Sequence, residues 1–377
     1  MNDTHPYQWL TTGDAFYGAL LADIGRARES IRLEMYIYMA GEPGDAIRSA
    51  LHAAALRGVR VKVLLDAFGS YELPSDYFTE LSEAGGQVQF FNPLSLNRIA
   101  FRDHRKLLIC DDHTALVSGF NISLHELGDG VTRGWRDLGL RLSGPVARNL
   151  AKSFDSMFAI ADFKHPLLAR LPLRHRFRRA LHRPHDLTIL TSAPGMGSNL
   201  FKKTLLYDLK HAKTIRIISA YFLPSYRIRR ALTWAARRRR DVKIITAGRT
   251  DVQMARFAGR ALYARLLRAG IHISEYEAQI LHTKLIIADN VVYIGSANLD
   301  TRSLSINYEL LVRIENNRLA HEARQIFNDY LPHCRNIERR SWSRSRGVLE
   351  KLMERVSHFI LARLDFLFAR RQLGKLR

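Results

Sequence analysis

Two short stretches carry the residue types of phosphoryl chemistry. In "HRKLLICDD", His104, Lys106 and Asp111 follow the spacing H-x-K-x4-D, and in "HTKLIIADN", His282, Lys284 and Asp289 repeat it. Each runs on to a glycine and an asparagine: Gly119 and Asn121 in the first, Gly295, Ser296 and Asn298 in the second. Side chains two apart in an extended strand share a face, so each histidine should project beside its lysine while the following apolar residues enter a sheet. One such strand entrance is readily a matter of chance; two at equivalent places speak for a site. One imidazole can attack phosphorus as a nucleophile. The other can protonate the leaving oxygen and then deprotonate an incoming alcohol or water. Lys106 and Lys284, with Asn121, Asn298 and Ser296, offer donors for the phosphate oxygens as charge develops on them. The lysines supply the positive charge, so neither a metal nor another cofactor is required.

Each imidazole also needs a partner that fixes its tautomer. Asp137 in "RGWRDLGLRL" and Glu309 in "INYELLVRI" lie downstream of the two motifs, each on the polar approach to an apolar run. Asp111 and Asp289 complete the motif and so belong to the candidate catalytic set. Each also ends an apolar run, where an Asp side chain readily accepts backbone N–H bonds in a turn, and that supporting role follows directly from its chemistry. Glu34 and Tyr36 in "LEMYIY" share one strand face; Glu34 either lines the cleft or pairs with an Arg or Lys.

The elements that must position these residues are themselves repeated. "IRLEMYIY", "AALRG", "VRVKVLLD" and "LSEAGGQVQFF" precede the first motif. "IRIISAYFLP", "ALTWAARRRR", "DVKIITAG" and "LLRAGIHISEY" precede the second. Strands alternating with helical segments predict an α/β fold made of two α-β-α sandwich halves, each with a largely parallel or mixed sheet. By analogy with symmetric dimers, the halves should pack about a pseudo-twofold axis and share one active site. The boundaries read as 1–160 for the first half and 161–186 for a basic linker, then 187–335 for the second half and 336–377 for a basic amphipathic tail. The linker histidines His175, His182 and His185 fit no standard metal spacing and read as a solvated basic surface.

A formal charge of +22 over 377 residues implies a polyanionic partner, either nucleic acid or an anionic membrane surface. Cys110 and Cys334 are the only cysteines, which excludes a disulfide framework and a CxxC zinc site. The N-terminus lacks the charged start and apolar stretch of a signal peptide, and no apolar run reaches the roughly 18 residues a spanning helix needs. The expected place is inside the cell, with any membrane contact peripheral. In the tail, Leu349, Leu352, Met353, Val356 and Phe359 recur at helical spacing among arginines and lysines. Such a helix either packs its apolar stripe on the domain or lies in a membrane interface.

Two H-x-K-x4-D motifs, each followed by a Gly and an Asn, resemble the phospholipase D superfamily. "FRDHRKLLICDD", "SGFNIS", "WRDLGLRLSGPVA" and "IGSANLDTRSLSINYE" are similar to its bacterial cardiolipin synthase branch, of the type without N-terminal membrane spans. The likeness covers residues 12–330. Ser118-Gly119 departs from the family's more usual Gly-Gly or Gly-Ser. The resemblance implies a phosphatidyltransferase acting on phosphatidylglycerol at the cytoplasmic face of the bacterial membrane. The duplicated site implies that a monomer suffices for catalysis, so a monomer or weak oligomer is expected. A phosphohistidine would carry the phosphatidyl group to a second phosphatidylglycerol, or another hydroxyl-bearing phospholipid, with release of glycerol. By the same analogy His104 is the nucleophile and His282 the acid and base. The alternative is a phosphodiesterase that hydrolyses lipid or, given the charge, nucleic acid; the Leu- and Phe-rich tail favours lipid.

Overall fold

The apolar runs after the two His-Lys pairs are buried on both faces. Leu107 and Ile109 face one hydrophobic core while Leu108 and Cys110 face another. Leu285 and Ile287 likewise face the first of these cores, with Ile286 and Ala288 turned to a third. Continuous apolar strands of this kind belong in the middle of a sheet covered on both sides. A computed structural model of the chain describes residues 6–93, 100–161, 187–194, 199–342, 344 and 346–375. The linker histidines His175, His182 and His185 fall outside them.

The first half holds β1 (Tyr7–Leu10), β2 (Ser30–Met35), β3 (Arg60–Asp66), β4 (Gln87–Phe91), β5 (Leu107–Cys110), β6 (Thr114–Ser118) and β7 (Gly139–Ser143). The second holds β8 (Leu187–Ser192), β9 (Thr214–Ser219), β10 (Asp241–Arg249), β11 (His272–Ile280), β12 (Lys284–Ala288), β13 (Val291–Gly295), β14 (Glu309–Glu315) and β15 (Cys334–Asn336). The first sheet has the order β1-β7-β6-β5-β2-β3-β4, and the second, read from its other edge, β8-β14-β13-β12-β9-β10-β11-β15. Apart from the added β15, the orders are the same. In each, the two strands after the first helical crossover run parallel and the three from the motif strand onward pair antiparallel. The duplication read from the sequence is therefore a duplicated mixed sheet.

Each sheet carries helices on its outer face, including Gly13–Arg26 and Gly44–Leu56 on the first and Leu200–His211 and Tyr226–Arg237 on the second. The inner faces meet in a common core. It joins Leu107, Val117 and Leu140 to Leu285, Ile294 and Leu310 and is closed by the helices Pro145–Phe158 and Asn317–Tyr330. The two motif strands thus lie near the middle of one apolar block.

Asp111 and Asp289 sit at the far end of those strands from the histidines. Both hold backbone in the left-handed region, with φ of 54° and 52°, which Asp tolerates better than most residues. The Asp111 carboxylate accepts from the backbone N–H of Arg28, Glu29 and Ser30 at 2.8–3.2 Å. Asp289 accepts from Lys213 and Thr214 in the same way. Each ties the end of its motif strand to the start of the neighbouring strand, β2 or β9. Their place among the candidate catalytic residues is corrected accordingly: the motif keeps them because they pin the register of the strand that delivers the histidine.

The tail also departs from one expectation. Helix Val348–Phe359 lies along helix Gln253–Arg260, yet it buries Glu354 and Ser357 rather than its apolar stripe.

Asp111→Ala and Asp289→Ala should each destabilise the protein by about 1–3 kcal/mol, the worth of the charge-assisted hydrogen bonds lost to exposed and part-buried backbone N–H groups. Denaturant melts measure this, and turnover per folded molecule should stay near wild type; normal melting with lost turnover would return these residues to the chemistry.

Candidate active site

The two histidines do not lie within the strands, as their spacing suggested, but just ahead of them: β5 starts at Leu107 and β12 at Lys284. Their lead-in segments pair with the opposite half. His104 N donates to Tyr308 O at 3.0 Å and Tyr308 N to Arg102 O at 2.9 Å. Symmetrically, Arg136 N donates to Ile280 O and His282 N to Arg136 O, both at 2.8 Å. These contacts form two isolated parallel bridges, Asp103 with Tyr308 and Arg136 with Leu281. In each case the next residue along one segment is a histidine and the next along the other is a carboxylate.

The result is a crossed pairing. His104 Nδ1 lies 3.0 Å from Glu309 Oε2, and His282 Nδ1 lies 2.7 Å from Asp137 Oδ2. Both carboxylates are fully buried. A carboxylate on Nδ1 holds the proton there and leaves Nε2 with its lone pair toward the cleft. The sequence picks out all four residues, but each carboxylate serves the histidine of the other half. Lys106 Nζ curls back to donate to His104 O at 2.8 Å, and Lys284 Nζ donates to His282 O in the same manner. Lys284 Nζ also lies 3.4 Å from Asp137 Oδ2.

Burying four basic groups together lowers their proton affinity. His104 is held well below the ordinary imidazole range, first by burial and then by Lys106, Lys284 and His282. His282 is lowered by burial and Lys284, but the charge and hydrogen bond of Asp137 oppose the shift. Burial, reinforced by Lys284, pushes Lys106 down to about 7. Lys284 is lowered by burial against the pull of Asp137 and Glu126. Burial raises Glu309 to about 7 despite Lys106 nearby. These groups therefore hold protons less tightly than they would in water, and an anion placed among them would raise their proton affinity.

The asparagines are placed symmetrically. Asn121 Oδ1 accepts from Ile37 N at 3.3 Å and Asn298 Oδ1 from Tyr221 N at 3.4 Å, which leaves each amide nitrogen as the donor end. Asn121 spends one of its N–H groups on Glu126 Oε1 at 2.7 Å. Ser296 is different. Its hydroxyl donates to Glu309 Oε2 at 2.5 Å and accepts from Leu310 N. A hydroxyl has one proton, so Ser296 is corrected from a phosphate donor to a residue that holds Glu309.

Gly119 explains another motif position. A Cβ there would stand 2.3 Å from Asp137 Oδ1, so only glycine lets this carboxylate reach His282. Glu34 proves to be the structural alternative: it is fully buried beneath the site in an ion pair with Arg105, Nε to Oε1 at 3.0 Å.

Three neighbours had not been recognised as site residues. Tyr36 packs its ring edge-on to His104 at 4.8 Å between centroids, and Trp135 does the same to His282 at 5.4 Å. Glu126 Oε1 approaches His282 Nδ1 to 4.0 Å, and burial with the charge of Asp137 raises it to about 8. Trp135 could have been found two residues from Asp137; Glu126 carries no local signal, because no matching acid marks it in the repeat. Among the described residues, Glu126, Asp137 and His282 form one cluster tight enough to hold a metal ion. The Lys284 ammonium and the Asn121 amide already occupy its acceptors, a donor set that fits orientation of His282 better than a cation.

Residues 20–158 and 205–331 match the sequence model of the family described as "Cardiolipin synthase, PLD-like domain". The chain belongs to this family of phosphatidyltransferases. It is 30% identical over 365 residues to cardiolipin synthase A of Yersinia pseudotuberculosis serotype O:1b (strain IP 31758) and to that of Yersinia pestis bv. Antiqua (strain Angola). The match covers 93% of this chain and 74% of either relative. Among solved structures, phosphatidylserine synthase of Haemophilus influenzae Rd KW20 superposes with a TM-score of 0.74 at 14% identity, covering 96% of this chain and 94% of the other. Polyphosphate kinase from Porphyromonas gingivalis gives 0.57 at 16% identity, covering 99% and 53%. At these identities the two structures show the shared fold alone. Among the described residues of this family member, no helix is long and apolar enough to cross a membrane.

Inorganic phosphate should bind with uptake of protons at about pH 8, because burial holds Lys106 at about 7 and a neighbouring anion would draw a proton back onto it. Calorimetry in two buffers of different ionisation heat reads the sign; proton release would contradict this electrostatic account. Gly119→Ala should displace Asp137 and cut turnover roughly 100-fold, the effect of about 1 Å of misplacement, and should leave the fold intact by circular dichroism.

Proposed function

We propose that the chain joins two phosphatidylglycerol molecules into cardiolipin with release of glycerol, through a phosphohistidine on His104. The crossed pair of buried imidazole–carboxylate contacts in one cationic cleft carries this reading, since it offers two Nε2 atoms for one phosphorus. His104 is the more strongly depressed imidazole and stays neutral, as a nucleophile must. His282 keeps more basicity through Asp137, which suits a group that takes and returns a proton.

In the first step His104 Nε2 attacks phosphorus, and the bond from phosphorus to the glycerol oxygen breaks. Protonated His282 gives its Nε2 proton to that oxygen, and glycerol leaves. The bound phosphodiester, an anion, raises the proton affinity of the cleft and so helps to supply the acid form of His282. In the second step neutral His282 removes the hydroxyl proton of the second phosphatidylglycerol. Its oxygen attacks phosphorus, the P–N bond breaks, and His104 returns to its neutral state. Lys106, Lys284, Asn121 and Asn298 stabilise the equatorial oxygens in both steps. Another hydroxyl-bearing phospholipid can serve as acceptor by the same chemistry. The work is done peripherally, at the cytoplasmic face of the membrane.

Purified protein incubated with phosphatidylglycerol vesicles should form cardiolipin and glycerol, both measured by mass spectrometry. A parallel sample of single-stranded and duplex DNA should remain intact; cut DNA with untouched lipid would establish the nuclease alternative instead. His104→Ala and His282→Ala should each nearly abolish turnover, and only His104→Ala should fail to trap a phosphorylated protein. A trapped adduct on His104→Ala would reverse the assignment.

A further inference from the structure

The tail turns its apolar side outward. Helix Val348–Phe359, the π turn Ile360–Leu364 and helix Asp365–Lys375 run on one from another. Among the described residues, their fully buried side chains are Glu354, Ser357 and Gln372 with Ala369, while Leu361 and Ala362 of the π turn pack partly buried on the core of the second half. Charged and polar contacts fix that side to the protein. Glu354 pairs with Arg346, and Glu350 with Arg260 at 3.3 Å. Asp365 takes Arg302 in a fork at 2.7 and 3.1 Å, and Gln372 Oε1 accepts from Ala100 N at 2.9 Å. Leu349, Leu352, Met353, Val356 and Phe359 are left 43–70% exposed, and the apolar surface continues through Leu364, Leu367 and Phe368. A surface helix of a globular protein does the reverse, and an apolar patch of this extent marks an interaction surface.

Its position is defined by the strands. Lys284 stands opposite Ser219, the last residue of β9, and β10 runs parallel to β9. Helix Gln253–Arg260, which follows β10, therefore stands at the same end of the sheet as the cleft, and the first tail helix lies on it. The second is anchored to Arg302, between Asn298 and Glu309, and to Ala100, four residues before His104. Phe68 and Tyr71 after β3, and Val252 and Met254 after β10, are exposed apolar residues at these strand ends.

We propose that the outward apolar face of residues 348–375 is a docking surface for an anionic lipid bilayer, which seats the cleft against the leaflet that supplies its substrate. The proposal rests on the lipid reading of the site. Charge selects this occupant over a second copy of the chain: Arg355, Arg363 and Arg371 are exposed alongside the stripe, and the whole chain carries +22. An anionic leaflet attracts such a border, whereas a symmetric dimer would press it against itself. The tail lies in the interface, buried by its apolar side and held at its edges by headgroups.

The test uses the full chain, two variants, Leu352→Glu/Val356→Glu and Leu367→Glu/Phe368→Glu, and flotation with phosphatidylglycerol or phosphatidylcholine vesicles. All four side chains are exposed, so melting temperatures should match wild type. Wild type should float with phosphatidylglycerol vesicles far better than with phosphatidylcholine. Each variant should lose roughly ten-fold or more of that binding, because two apolar side chains no longer leave water. Transfer from vesicle lipid should fall more than transfer between short-chain, monomeric phosphatidylglycerols. Variants that float like wild type overturn the proposal, as does a wild-type dimer that the substitutions dissociate without changing vesicle binding. If cardiolipin forms while the variants still float, docking fails and the transfer reading stands. If no cardiolipin forms but only wild type floats, docking stands and the transfer reading fails.

Discussion

Two short backbone bridges between the halves, Asp103 with Tyr308 and Arg136 with Leu281, set the geometry on which the site depends. Each consists of a couple of hydrogen bonds, yet each places a histidine lead-in beside the strand that begins with a carboxylate from the opposite half. Neither half holds a complete imidazole–carboxylate pair by itself. The common core of Leu107, Val117, Leu285 and Ile294 keeps the bridges in register, since sliding one sheet over the other would open apolar surface to water. Asp111 and Asp289 act at the opposite strand ends to the same effect.

Electrostatics follows from that packing. Two imidazoles and two ammonium groups buried together are costly as charges, and the proton affinities of all four fall. Glu309, Asp137 and Glu126 offset part of the cost and fix ring orientation, but they do not replace an anionic substrate. A bound anion would complete the balance, and its binding would then be coupled to protonation. The halves are not equivalent in this respect: among the described residues, Glu126 lies near His282 and no equivalent acid lies near His104, so the two imidazoles sit in different electrostatic surroundings.

The tail shows how far a periodic pattern can be trusted. Leucines and phenylalanines at helical spacing predict a helix with a stripe, and the helix is there. Which side meets the protein depends on partners that periodicity does not contain. Arg260, Arg302 and Arg346 claim the acidic residues of the tail, and their claim turns the stripe outward.

The sequence alone determined the duplication, the α/β class and the two His-Lys pairs, and it offered Asp137 and Glu309 as candidate partners for the histidines. Those features are written in local pattern: the H-x-K-x4-D spacing, apolar runs of strand length and acids at strand entrances. Only the tertiary structure decided that Glu309 serves His104 and Asp137 serves His282, that Ser296 holds a carboxylate rather than a phosphate, and that Gly119 makes room for Asp137. Glu126 and Tyr36 join the site the same way, by contacts with His282 and His104 that lie 156 and 68 positions away. Spacing along a chain fixes which side chains share a face, but which face meets which is settled by the closing of two sheets on one core.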